Sequence, residues 1–396
     1  MVIDIRHLKN KNYFQLIVLA ITSFIIPFYI CDTNRHNLLF TMAEIPLLIL
    51  LLMNLKKMRV RRNIGYIVLV ILYFLTFLYY DIFYLKCYWA LCYKVGSFLL
   101  LWDFDSCESY EGIRKDSLYS ELTDTILSIF SFTVILSLIS NMIGVDAIFL
   151  DVNQFHLRSA KSGVFLDERL TWVFMHKSSY GLLLVLALAL LMKRRNFLFR
   201  RLWICIYFIA AIRINSMVSI VCMGMVLFAY YIKTKELDKK TMIKLFFAFF
   251  VGLIIAGAVF YIVESKRNVS SLGDRAYIWA IYADSLAKYP HGMGKSFFSD
   301  SFWLAAGGRY INNFHNVFFN EMIHYSVPVG IMFIVLVLYY PIKYIVSNSS
   351  KLYSVLLLIS FCLPMYFDQA LNDLIFPVFL IMLKLCFSNS NASDEV

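Results

Sequence analysis

Charge is what this sequence has least of. Asp, Glu, Lys and Arg make up 16% of its 396 residues, where a soluble domain carries roughly 25%. With 61% hydrophobic residues beside so little charge, a single water-soluble core is excluded, because the apolar runs recur from end to end. The sequence also lacks the short motifs of common chemistries: no GxGxxG, P-loop, HExxH, GxSxG or EF-hand pattern occurs. Its eight cysteines (Cys31, Cys87, Cys92, Cys107, Cys205, Cys222, Cys362 and Cys386) show no metal-ligand spacing and mostly fall in apolar stretches. They read as small buried hydrophobes, with neither disulfides nor zinc expected. Internal repeats are missing as well, and with them the matched halves expected of a secondary transporter.

What is present is a succession of apolar segments. A membrane span needs about 20 such residues, or fewer where protein surrounds it. Candidate spans fall at 13–30, 38–54, 65–84, 87–102, 125–144, 174–192, 202–212, 216–231, 243–263, 326–345, 352–367 and 372–387. The first follows a basic N-terminus without a small-residue cleavage site and is expected to be an uncleaved span. The fold class expected is all-α: a polytopic integral membrane protein of about 12 transmembrane helices, forming one membrane domain over 1–396.

The net charge of +11 does not point to nucleic acid. Lys and Arg gather in three short loops: Lys56, Lys57, Arg59, Arg61 and Arg62; Lys193, Arg194, Arg195, Arg200 and Arg201; Lys233, Lys235, Lys239, Lys240 and Lys244. Clusters of this kind beside apolar runs are the positive-inside signal. Placing all three inside puts both termini in the cytoplasm, and it puts Cys31–His36, 145–173 and the long loop 264–325 outside. The polar stretch 103–124 then falls inside.

Polar chemistry collects on the outer side. In the loop 264–325, Arg275 and Trp279 stand four apart and would share a face of a helix expected over Asp274–Lys288. The turn Lys288–Ser296, with one proline and two glycines, brings backbone close to a ligand or to another helix. His315 and Asn316 sit just before the next span, in company with Arg309 and Glu321. Arg213 lies between two short apolar segments with no carboxylate beside it, which suggests either an interior site or snorkelling to the interface. The loop 145–173 reads as a solvated mixed-charge segment containing Arg158, Lys161, Glu168 and Arg169. Several outer arginines without matching acids suggest an anionic ligand, and arginine's planar fork suits phosphate.

Four features together resemble the bacterial O-antigen polymerase/O-antigen ligase superfamily. They are the many-spanning layout with a late outer loop, GDRAYIWAIYADSLAKYPHGMG (273–294), FHN (314–316) and RSAKSGVFLDERLTWVF (158–174). The match covers roughly residues 155–345. The family carries Ser-Arg together after the short hairpin, whereas here Arg213 precedes Ser216 by three residues.

The resemblance implies a metal-independent glycosyltransferase of the bacterial inner membrane that needs no cofactor. Its substrate would be an undecaprenyl-pyrophosphate-linked oligosaccharide, moved onto a new lipid-linked unit (polymerase) or onto lipid A-core (ligase). Membrane lipid, a flippase and a chain-length regulator would be its partners, and nucleic acid would not. Arg213 and Arg275 would then clamp the pyrophosphate and His315 would act as base. Arg158, Arg309, Trp279 and Asn316 would bind substrate. A flippase for the lipid-linked unit is the reading from a different class.

Overall fold

A computed structural model of the chain describes residues 63–106, 115–143, 145–151, 154–159, 177–194, 196–214, 216–234, 275–294, 302–304, 309–311, 313–371 and 375–388. The expected spans 13–30, 38–54 and 243–263 lie outside these residues, as do the basic residues at 56–62 and 235–244. Nearly all the remaining expected spans are helices within a few residues of where the apolar runs placed them.

In chain order these helices are α1 (Ile64–Tyr80, continued by one π turn to Leu85), α2 (Tyr88–Ser106), α3 (Lys115–Ile143), α4 (Lys177–Lys193), α5 (Arg200–Arg213) and α6 (Met217–Thr234). Two short helices, α7 (Arg275–Ala280) and α8 (Tyr282–Lys288), fill the segment expected to be helical in the outer loop. Then come α9 (Val317–Tyr325), α10 (Val327–Ser347), α11 (Lys351–Phe367) and α12 (Phe376–Cys386). Among the described residues, four stretches are long and apolar enough to cross a membrane: Ile64–Leu85, Tyr119–Ile139, Met217–Thr234 and Val327–Ser347. The chain is therefore a helical protein with membrane-crossing segments.

The structure adds detail to three of the connecting segments. Residues 115–124 are helical, so the polar stretch 103–124 is shorter than its composition suggests. The loop 145–173 contains an antiparallel hairpin, β1 (Val145–Asp151) and β2 (Gln154–Ser159), with Phe149 opposite His156. A second hairpin, β3 (Phe302–Leu304) and β4 (Arg309–Ile311), lies between α8 and α9. The fold is thus helical with two small hairpins in its connections. Val, Ile and Phe at close spacing in a segment too short for a stable helix favour paired strands.

Two kinds of apolar surface decide how the helices pack. From Ser178 to Met192, α4 is buried all round, as a uniformly apolar helix enclosed by others should be. By contrast α1, α6 and α10 bury one face and expose an apolar one: Leu75 is 53% exposed, Val221 60% and Val346 70%. Such faces would be a liability in water and belong against lipid. Because lipid tails are as apolar as leucine, cohesion here rests on close packing and side-chain hydrogen bonds. Phe98 contacts Tyr73, Phe333 and Phe376 at centroid distances of 5.5–6.0 Å, joining α1, α2, α10 and α12. Gly181 of α4 lies so close to Ser216, just before α6, and to Ser219 of α6 that a Cβ would collide with both hydroxyls.

Each end of the bundle has its own set of contacts. At one end, Lys193 donates to the carbonyls of Leu385 and Ser388, at 2.7 and 2.9 Å, closing the C-terminus of α12. At the same end Arg194 pairs with Asp124 at 2.7 and 2.8 Å, and Lys233 lies 5.0 Å from the Tyr353 ring. The opposite end carries a small cap with its own core of Ile278, Met293, Phe314 and Ile323. There the glycine turn meets another helix: Met293 and Gly294 donate to the last carbonyls of α9, Ile323 and His324, at 2.9 and 3.0 Å.

Gly294 has φ +56°, and a Cβ there would strike the backbone of Leu85. Gly294→Ala is expected to destabilise the cap by about 1–3 kcal/mol, read as a lower midpoint of thermal unfolding in detergent. Gly224→Ala, in open space on α6, is expected to be neutral or to raise it slightly, since alanine is the better helix former.

Candidate functional site

The C-terminal end of α11 delivers a carboxylate. Pro364 interrupts the last turn, and the chain leaves the helix at Asp368 in an extended conformation. Asp368 is only 6% exposed, so its oxygens need partners, and four donors among the described residues supply them. Oδ2 accepts from the Ser178 hydroxyl at 2.6 Å and from Arg275 Nη2 at 3.1 Å. Oδ1 accepts from His315 Nδ1 and from the backbone N–H of Gln369, both at 2.9 Å. Because a carboxylate only accepts, Nδ1 of His315 carries the proton, which makes Nε2 the basic nitrogen.

Arg275 opens α7, and its Nε donates to the Phe367 carbonyl at the end of α11. Trp279 is on the same face, as the four-residue spacing requires, and its ring packs 5.2 Å from Tyr366 and 6.1 Å from Phe367. Its indole N–H donates to the Phe314 carbonyl at 2.9 Å. His315 follows directly, with φ +46°, a left-handed conformation uncommon outside glycine. Its neighbours enforce that conformation. Asn313 accepts from the His315 N–H at 2.8 Å, and Asn320 accepts from the Phe314 N–H at 2.8 Å. Asn316 caps α9 by accepting from Phe318 and Phe319 at 2.9 and 3.1 Å. Strain held in this way is typical of positions where geometry matters more than stability.

Beside Asp368 lies a cavity of about 140 Å³ lined by Lys177, Ser178, Ser216, Met217, Val218, Ser219, Arg275, Pro364, Phe367 and Asp368. Its charged walls are two cations and one anion. The first turns of α4 and α6 open onto it, and helix N-termini favour anions. Ser216 and Ser219 share a 2.7 Å hydrogen bond. Among the described residues, no group of three or more His, Cys, Asp or Glu gathers as a metal would require.

No family model matches this chain, and no curated protein matches it.

The structure therefore brings together Arg275 and His315, with Trp279 and Asn316 fixing the segment that holds the histidine. Arg213 is exposed at the last residue of α5 and does not line the cavity, while Ser216, three residues on, is in the cavity wall. Arg158 falls in β2 opposite Ala147, and Arg309 in β4 opposite Leu304. The idea that the outer cations lack acids is corrected. Arg275 pairs with Asp368, 93 residues away, and Glu321 with Lys94, 227 residues away, separations that no local reading of the sequence could bridge.

Asp368, Lys177 and the three serines were not assigned from the sequence. The signal available for Asp368 was a carboxylate closing an apolar run, a position where ionisable groups are costly. Nearby, burial and the Lys94 charge hold His324 well below the usual histidine range, so it is neutral at physiological pH.

Asn316→Ala removes the acceptor that caps α9 and is expected to cost about 1 kcal/mol, lowering the thermal midpoint in detergent. Asn316→Asp keeps that acceptor and is expected to unfold close to wild type.

Proposed function

We propose that this chain is a glycosyltransferase of the O-antigen polymerase type, elongating an undecaprenyl-pyrophosphate-linked glycan at the outer face of the bacterial inner membrane. The observation that carries this reading is the convergence of Arg275 and His315, forty residues apart in the chain, on the one carboxylate of Asp368 beside a cationic cavity. The chemistry needs those parts. As the acceptor hydroxyl attacks the anomeric carbon of the donor, His315 Nε2 takes its proton. The bond from that carbon to the pyrophosphate breaks, and the leaving oxygen keeps the electron pair. Arg275 and Lys177 offer fixed positive charge for the negative charge that develops there. Asp368 holds the imidazole in the required tautomer and steadies the cation formed when it is protonated, as the acid does in other His-Asp pairs.

The sidedness supports an outward-facing reaction. The cavity is at the N-terminal end of α6, while Lys233 is in its last turn. Eighteen helical residues separate the ends by about 27 Å, close to the thickness of a bilayer core. With the lysine-rich end inside, the cavity opens outside, where apolar helix faces would let a polyprenyl tail approach through the bilayer. The same chemistry would serve a ligase; the acceptor separates the two.

Deleting the gene in its host is expected to abolish the polysaccharide ladder on a gel and to leave a single-unit band. Wild type restores the ladder. Arg275→Ala, His315→Ala and Asp368→Asn should not, each slowing elongation by about 10²–10⁴-fold while protein still accumulates in the membrane. Loss of the single-unit band with the ladder would point instead to a ligase or a flippase.

A further inference from the structure

The buried ion pair between Lys94 and Glu321 takes no part in the chemistry above, and it is expensive to build. Lys94 is 3% exposed and Glu321 14%, and the ammonium bonds both carboxylate oxygens. The same ammonium lies 4.2 Å from the Tyr325 ring and 4.8 Å from the Phe333 ring. A pair so desolvated adds little net stability compared with apolar side chains of the same size. What it adds is direction.

Lys94 belongs to α2, a helix fixed by the Phe98 aromatic cluster. Glu321 belongs to α9, and its neighbour Asn320 grips the Phe314 N–H at 2.8 Å. Trp279 grips the carbonyl of the same residue, and the next residue is the strained His315. A continuous path therefore runs from α2 through Glu321, Asn320 and Phe314 to the imidazole on Asp368. We propose that Lys94 and Glu321 are positioning residues, a clamp that fixes the register of α9 and so holds His315 against Asp368. The catalytic consequence rests on His315 being the base of the proposed transfer; the mechanical claim does not.

The test uses the full-length protein in nanodiscs with its seven histidines labelled with ¹⁵N, the His315 resonances being assigned from His315→Gln. The double variant Lys94→Met/Glu321→Met replaces the pair by apolar side chains and should accumulate like wild type. The clamp predicts that its Nδ1–H signal from the His315–Asp368 bond broadens or shifts toward that of a solvent-exposed imidazole. It also predicts that elongation of lipid-linked units slows roughly tenfold to a hundredfold. An unchanged His315 signal overturns the proposal, whatever the rate. Should the double variant fail to accumulate, Asn320→Ala cuts the same path one step later and must disturb the same signal; an undisturbed signal there also overturns the clamp. A wild-type protein that elongates nothing, with the His315 signal lost in the double variant, would sink the glycan reading and leave the clamp standing.

Discussion

The candidate site is organised around one buried carboxylate. Among the described residues Asp368 accepts from four donors, and they come from four parts of the chain: the first turn of α4, the first residue of α7, the segment before α9, and its own neighbour after α11. Removing any donor leaves acceptor capacity buried, which is costly. Removing the carboxylate leaves a guanidinium and an imidazole without the group that orients them. The packing around it follows from this demand. Gly181 lets α4 and α6 approach closely enough for their serines to line the cavity, and the Phe367 carbonyl takes a second bond from Arg275.

The bilayer imposes the second constraint. With apolar side chains facing outward on α1, α6 and α10, the hydrophobic effect cannot tell the inside of the bundle from its surroundings. Specific contacts must do so, among them stacked aromatics, the Ser131–Tyr207 hydrogen bond at 2.7 Å and the Lys94–Glu321 pair. Polar contacts between helices are where register is fixed. Lys193 against the carbonyls ending α12 does this at the basic end, as Asp368 does at the other.

Local periodicity and composition were enough to find the helices, because a run of apolar residues reports its own state. Even the short segments 87–102, 202–212 and 216–231 are helical. The pairing of Arg275 with Trp279 on one face was legible for the same reason, since spacing along a helix is local information. The site was only half legible. Arg275 and His315 stood out by residue type and by their motifs. Asp368 did not, because its importance comes from partners 53, 93 and 190 residues away. Asn316, expected to meet substrate, has its side-chain oxygen engaged in capping α9, a role that a helix beginning one residue later would have announced. The hairpin of β1 and β2 was missed because its charges masked its strand-forming residues.

The central claim is that this histidine and arginine, gathered by Asp368, transfer glycan between carrier lipids. The most direct measurement is reconstitution of the purified protein in nanodiscs with a polyprenyl-pyrophosphate-linked repeat unit, without nucleotide sugar. The account predicts a ladder of lengthening products and one polyprenyl pyrophosphate released per linkage, both lost in Asp368→Asn. Products of a single length with no pyrophosphate released, from a protein that binds the lipid-linked unit, would contradict it.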